Sequence, residues 1–115
     1  MTVYVDDVVH AFGRMKMCHM WSDSYVELMQ MADAIGINRK WFQAPPKASW
    51  EHFDISLGKK RLALLLGAVL TDRFGPVEHC ARLDIASGDP ARIMRGNRRL
   101  ARVAHARALR TEVAE

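Results

Sequence analysis

Two acidic residues close the first apolar run of the chain, Thr2-Val3-Tyr4-Val5-Asp6-Asp7, and Asp72 closes a later one, Ala68-Val69-Leu70-Thr71. If both runs are strands of one parallel sheet, their carboxyl ends share an edge, where open α/β sheets bind ligands. Asp6, Asp7 and Asp72, with Gln43 beside them, then offer oxygen donors suited to Mg²⁺ or Mn²⁺. Such an ion polarises a phosphate and acidifies a bound water, which is phosphoesterase or nuclease chemistry. The competing reading is that Asp6-Asp7 only turns the chain, a common task for Asp.

Other residues carry further options. His52 and Asp54 point the same way if they lie in a strand, and His19 is a more distant companion. A histidine beside a carboxylate can act as a general base or a metal ligand, or serve only as a hydrogen-bonded structural pair. Asp6, His52 and Asp54 are thus the catalytic candidates. The run Met15-Lys16-Met17-Cys18-His19-Met20 contains soft donors of the kind Cu(I) takes, although packing methionines are far commoner. Lys59, Lys60 and Arg61 open a helix expected after Ser56. Cations at that positive end make sense with a phosphate between them, or as a solvated face.

Charge separates the chain into two parts. Residues 1–81 hold nine Lys/Arg and nine Asp/Glu, so the net charge of +4 belongs to the last third. From Arg92 to Arg110 there are seven arginines and no acid. Arg95, Arg98, Arg99 and Arg102 share or border one helical face and are candidates for nucleic-acid phosphates. They serve equally as partners for acids on another subunit. No aromatic residue follows Phe74, so stacking of single-stranded bases on this segment is not expected.

Half of the 115 residues are hydrophobic, enough for one core. No apolar stretch reaches membrane-spanning length, and the N-terminus has no signal-like core, so a cytoplasmic protein is expected. The two cysteines, Cys18 and Cys80, are too few for a disulfide framework.

The elements that must position these residues follow from spacing. Thr2–Val5 reads as a strand, and residues 8–23 contain a possible second strand or hairpin arm. Ser24 with Glu27 has capping-box spacing, and Tyr25, Leu28, Met29, Ala32 and Ile35 form one apolar helical face ending at Gly36. Residues 40–43 read as a strand and residues 57–66 as a helix closed by Gly67. Residues 68–72 read as the third strand. The pattern predicts an α/β fold: a small three-stranded, mostly parallel sheet with crossover helices in residues 1–75. A basic helical extension of the same single domain fills residues 76–115. There Asp89-Pro90 starts a helix and Gly96-Asn97 is expected to break it.

The pieces Thr2-Val3-Tyr4-Val5-Asp6-Asp7, Trp21-Ser22, Trp41-Phe42-Gln43, His52-Phe53-Asp54-Ile55, Lys60-Arg61 and Gly67-Ala68-Val69 occur in an order and spacing that resemble a family of small bacterial and phage proteins, domain of unknown function 4031. The resemblance covers roughly residues 1–70. It implies that Asp6, Trp21, Ser22, His52 and Asp54 form one recurring set, with Trp21 and Ser22 joining the candidate ligand-binding residues. The family pattern has His after Trp-Ser, where this chain has Asp23. Asp72 and the arginine-rich segment lie outside the pattern. A phage origin implies an accessory role in the host cytoplasm. Three functions stand open: a module binding nucleic acid or another phosphate-bearing ligand, a divalent-metal phosphoesterase or nuclease, and a self-associating or host-protein-binding modulator.

Overall fold

The computed structural model describes residues 2–114, whose contacts divide into two compact units on either side of the Arg73–Phe74 bond. The first contains β1 (Val3–Val5), β2 (His10–Phe12), β3 (Met15–Ser22), α1 (Tyr25–Ala34), a 3₁₀ turn (Arg39–Trp41), β4 (Phe53–Ser56), α2 (Leu57–Leu65) and β5 (Val69–Leu70). The second contains α3 (Gly75–Ala86) and α4 (Pro90–Ala114).

The sheet of the first unit is five-stranded and mixed, not three-stranded and mostly parallel. Only β1 and β5 run parallel; β1, β2 and β4 all pair antiparallel with β3. The reason is a hairpin. Gly13, at φ 60°, supplies the left-handed turn between β2 and β3. The chain from Val3 to Phe12 therefore folds back along β3 and does not cross over through a helix. The region 40–43, expected as a strand, instead winds as the 3₁₀ turn, because the Asn38 side chain caps it by accepting from the Lys40 amide at 2.9 Å. Gln43 alone keeps strand character, in a bridge to His52.

Alternation along β3 assigns the two faces of the sheet. Cys18 and Met20 point inward, with Val3 and Val5 of β1 and Phe53 and Ile55 of β4. Leu28, Met29, Ala32 and Ile35 of α1 and Ala63 of α2 pack on that face and complete the core. The local signals act as the spacing predicts. Ser24 accepts from the Glu27 amide and Ser56 from the Lys59 amide, each at 3.3 Å. Gly36 and Gly67 take the positive φ that ends each helix. The opposite face carries Tyr4, Asp6, Met17, His19, Trp21, His52 and Asp54, and the helices of this unit lie on the other side.

The second unit is a helical pair. α4 starts as expected, with Asp89 accepting from the Arg92 amide at 2.9 Å and Pro90 at the first turn. It then runs unbroken through Gly96-Asn97. Gly96 serves close approach and not a break: a Cβ there would lie 2.6 Å from the Ala81 carbonyl oxygen and 2.8 Å from Ile85 Cγ1. Beside it, the buried Asp84 carboxylate accepts from Arg95 through two hydrogen bonds of 3.0 Å and from Arg92 at 3.0 Å, with Arg99 at 3.7 Å. Arg107 pairs with Glu78 across the same two helices. No helix among the described residues is long and apolar enough to cross a membrane.

Two outcomes follow for this pair. Gly→Ala in a helix interior ordinarily stabilises by about 1 kcal/mol. Here G96A is expected to destabilise by about 1–3 kcal/mol, because the backbone of Ala81 has to move; urea unfolding followed by helical circular dichroism reads the sign. Asp84 yields a pH signature. Arg95, then Arg92, hold its carboxyl down at about 2. A depressed folded-state pKa means that the stabilisation is complete above the unfolded value of about 3.9 and fades as pH falls toward 2. D84N should cost about 3 kcal/mol at neutral pH, at the lower end for a buried pair because the half-exposed guanidiniums can rehydrate. The gap between wild type and D84N should close between about pH 4 and 2; a gap that persists there contradicts this account.

Candidate metal centre

The face of the sheet away from the helices begins with an irregularity. Val5 pairs with Met20 and His10 with Met17, so four residues, Asp6–Val9, stand opposite two, Cys18 and His19. This is a bulge. Its first residue, Asp6, still donates its amide to the His19 carbonyl at 3.2 Å. Its side chain is fully buried and takes over the rest of the pairing. Oδ1 accepts from the His19 amide at 3.1 Å, and Oδ2 lies 2.6 Å from His19 Nδ1. A carboxylate only accepts, so the ring proton sits on Nδ1 and the Nε2 atom turns outward. The hydrogen bond to Asp6 raises the pKa of His19 against the opposing effect of burial.

β4 supplies the other half. Asp54 is the register partner of His19. His52 lies two residues earlier and shares the same face, as its spacing predicts. Its Nδ1 is 3.0 Å from the Trp50 carbonyl oxygen, again an acceptor, so its Nε2 is also the outward nitrogen. Gln43, held beside His52 by the bridge, donates its amide to Asp54 Oδ2 at 2.6 Å.

β2 brings the third ring. His10 stacks on His19 with centroids 4.9 Å apart. The result is a convergence on one atom. Asp54 Oδ1 lies 3.5 Å from His52 Nε2, 3.7 Å from His10 Nε2 and 3.8 Å from His19 Nε2. All three separations exceed hydrogen-bonding distance. Asp54 Oδ1 and His10 Nε2 are shielded from solvent and have no hydrogen-bond partner among the described residues. His10, His19 and Asp54 each present a ligand atom, all within 4.8 Å of one another. Trp50 walls the cluster, stacked on His52 at 4.2 Å, with Trp21 edge-on to Trp50 at 5.7 Å. His10, His19 and Asp54 remain a quarter to a third exposed, while His52 is almost enclosed.

The structure rearranges the candidates read from the sequence. Asp6, His52 and Asp54 are brought together, but Asp6 is turned toward His19 and away from any shared ion. Asp7 is exposed and Asp72 half-buried, and neither belongs to the cluster around Asp54. Ser22 is spent on the backbone: it donates to the Thr2 carbonyl at 2.8 Å and accepts from the Ser24 amide at 3.0 Å. Trp21 is 2% exposed and stacks on Tyr4, so it builds the wall and offers no free ring face. Lys59, Lys60 and Arg61 begin α2, on the other side of the sheet. Lys59 Nζ lies 3.1 Å from where a Cβ on Gly36 would be, at the negative end of α1. Strand alternation also divides the soft-donor run, since Cys18 and Met20 are core residues and His19 is not. Burial pushes the Cys18 thiol up to about 11.

Of the arginines, Arg95 and Arg99 engage Asp84, while Arg98 and Arg102 are exposed. The sequence reading missed His10, Trp50 and the place of Gln43 against Asp54. A usable signal for His10 was present: His10-Ala11-Phe12 before Gly13-Arg14 is the natural opposite arm to Met15–Trp21.

No curated protein and no solved structure matches the chain. A family model does match it, over residues 3–83, which takes in the whole sheet, the histidine cluster and most of α3. The chain therefore belongs to the family described as protein of unknown function (DUF4031).

Proposed function

We propose that this protein is a divalent-metal-dependent phosphoesterase whose ion sits among His10, His19 and Asp54. One observation carries the reading. The Nε2 atoms of three imidazoles surround Asp54 Oδ1, which has no hydrogen-bond partner among the described residues, at separations of 3.5–3.8 Å that leave room for an intervening cation. In the neutral rings of His19 and His52, the acceptors at Nδ1, Asp6 and the Trp50 carbonyl, leave Nε2 as the lone-pair nitrogen. An acceptor behind the ring, as His19 and His52 have here, is the usual support of metal-bound histidine. The partly exposed side of the cluster leaves room for a substrate oxygen and a water. The ion's chemistry would be to acidify that water and to polarise a phosphoryl oxygen. The protein's own part is to fix the donors, hold Asp54 ionised and exclude solvent through Trp50 and Trp21.

The test is hydrolysis of bis(p-nitrophenyl) phosphate by protein stripped with chelator and reloaded with Zn²⁺, Mn²⁺ or Co²⁺. Activity should return with the ion and fall to the metal-free background in H19A and D54N. Loaded wild-type protein that hydrolyses no faster than the stripped protein overturns the reading.

A second reading, binding of a nucleic-acid backbone by α4, is favoured by its charge arrangement. Three guanidiniums share the single Asp84 carboxylate, so that cluster keeps an excess of positive charge, and Arg98 and Arg102 stand exposed nearby in sequence. R98Q/R102Q should weaken a salt-sensitive interaction with duplex DNA without changing thermal stability, whereas R95Q/R99Q should lower the melting temperature. Equal stability in the two double variants would show that the Asp84 contacts are not structural.

A further inference from the structure

Building on the metal reading, we propose that the centre takes a late first-row dication of the Zn²⁺ class held by four protein donors, His10, His19, Asp54 and His52 Nε2, with a fifth position left to the water or phosphoryl oxygen. Asp6 is its positioning residue. It keeps His19 in the tautomer whose Nε2 can bind.

The donor set argues first. Three imidazoles and one carboxylate suit Zn²⁺, Co²⁺ or Fe²⁺, whereas Mg²⁺ prefers oxygen. The spacing argues independently. Bonds of about 2.0–2.1 Å arranged tetrahedrally place neighbouring donors about 3.3–3.4 Å apart. The same bond lengths in an octahedron around Mg²⁺ place them about 2.9 Å apart. The separations of 3.5, 3.7 and 3.8 Å around Asp54 Oδ1 lie nearer the tetrahedral value. His52 has the shortest of the three separations and the most enclosed ring, and it is assigned as the fourth donor through Asp54, beside the mutually close group of His10, His19 and Asp54. Gln43 occupies Oδ2, which leaves Asp54 to bind through Oδ1 alone.

Asp6 acts through hydrogen-bond polarity. Both of its oxygens accept from His19, one from the backbone amide and one from Nδ1. Asparagine has one acceptor and one donor end and cannot satisfy both. If its amide faces the ring, His19 moves its proton to Nε2 and loses its ligand atom.

Titration of the metal-free protein with CoCl₂ tests the proposal. Intense visible bands of four- or five-coordinate cobalt should develop. ZnCl₂ should abolish them, and millimolar MgCl₂ should not. H52A should change the band pattern and weaken binding. D6N should weaken binding about 10–100-fold with far-ultraviolet circular dichroism retained. In metal-free wild-type protein, ¹⁵N shifts should show His19 and His52 protonated at Nδ1, and in D6N His19 should shift toward the Nε2-protonated form. A pale six-coordinate spectrum, competition by Mg²⁺, or an H52A spectrum identical to wild type overturns the coordination. Nε2-protonated His19 in the wild type overturns the role of Asp6, and it does so even if D6N fails to fold. Tight cobalt binding without diester hydrolysis removes the phosphoesterase reading and leaves the centre standing. Absence of cobalt binding removes both.

Discussion

The buried Asp6 carboxylate and the two donors of His19 are the contact on which the described site depends. A carboxylate removed from water has to be compensated by hydrogen bonds, and its burial without them would cost several kcal/mol. The bulge supplies the compensation by bringing Asp6 against both the amide and the ring of His19. The same bulge sets the register beyond it. Four residues face two, and the even excess keeps the alternation of side chains in phase. His10 therefore reaches the face of His19 and Asp54. An offset by one residue would have turned it to the other face.

On that face the fold accepts a cost that stability does not require. A core of Val5, Met20, Phe53 and Ile55 against α1 and α2 is complete without the polar cluster. A cluster of three imidazoles and a carboxylate could be replaced by apolar groups at little loss, as buried ionic groups often can be. Instead, three of the four members are oriented by a hydrogen bond to another group, His19 by Asp6, His52 by the Trp50 carbonyl and Asp54 by Gln43, while His10 is stacked on His19. Orientation of several donors toward one point, with Trp50 stacked behind them, is what a ligand site needs and what packing alone does not.

The sequence was informative where one residue type decides an outcome. Ser24, Ser56, Gly36 and Gly67 mark helix ends, and the structure uses each in that way. The pairing of His52 with Asp54 followed from the two-residue period of a strand. What could not be read was pairing direction. Strand–helix–strand order suggested crossovers, but the hairpin at Gly13 made the sheet mostly antiparallel and placed the site on the sheet face, not at a strand edge. This is why Asp7 and Asp72 dropped out and His10 came in. Residues 40–43 show the complementary limit, since the Asn38 cap outweighed the strand preference of an aromatic pair.

The arginine segment shows how a charge run misleads when it is read in one dimension. Between Arg92 and Arg110 the chain carries no acid, yet Arg92, Arg95 and Arg99 share Asp84, and Arg107 pairs with Glu78. Both acids lie on α3, ahead of the run in sequence and facing it in the folded pair. The asymmetry is that three guanidiniums meet one carboxylate. Asp84 helps to fix the register of α4 against α3, because Gly96 lets the two backbones approach and the carboxylate then lies within reach of successive turns. The remaining positive charge is not needed for that docking. Arg98 and Arg102 carry part of it outward, and the helix pair holds them in place whatever they meet.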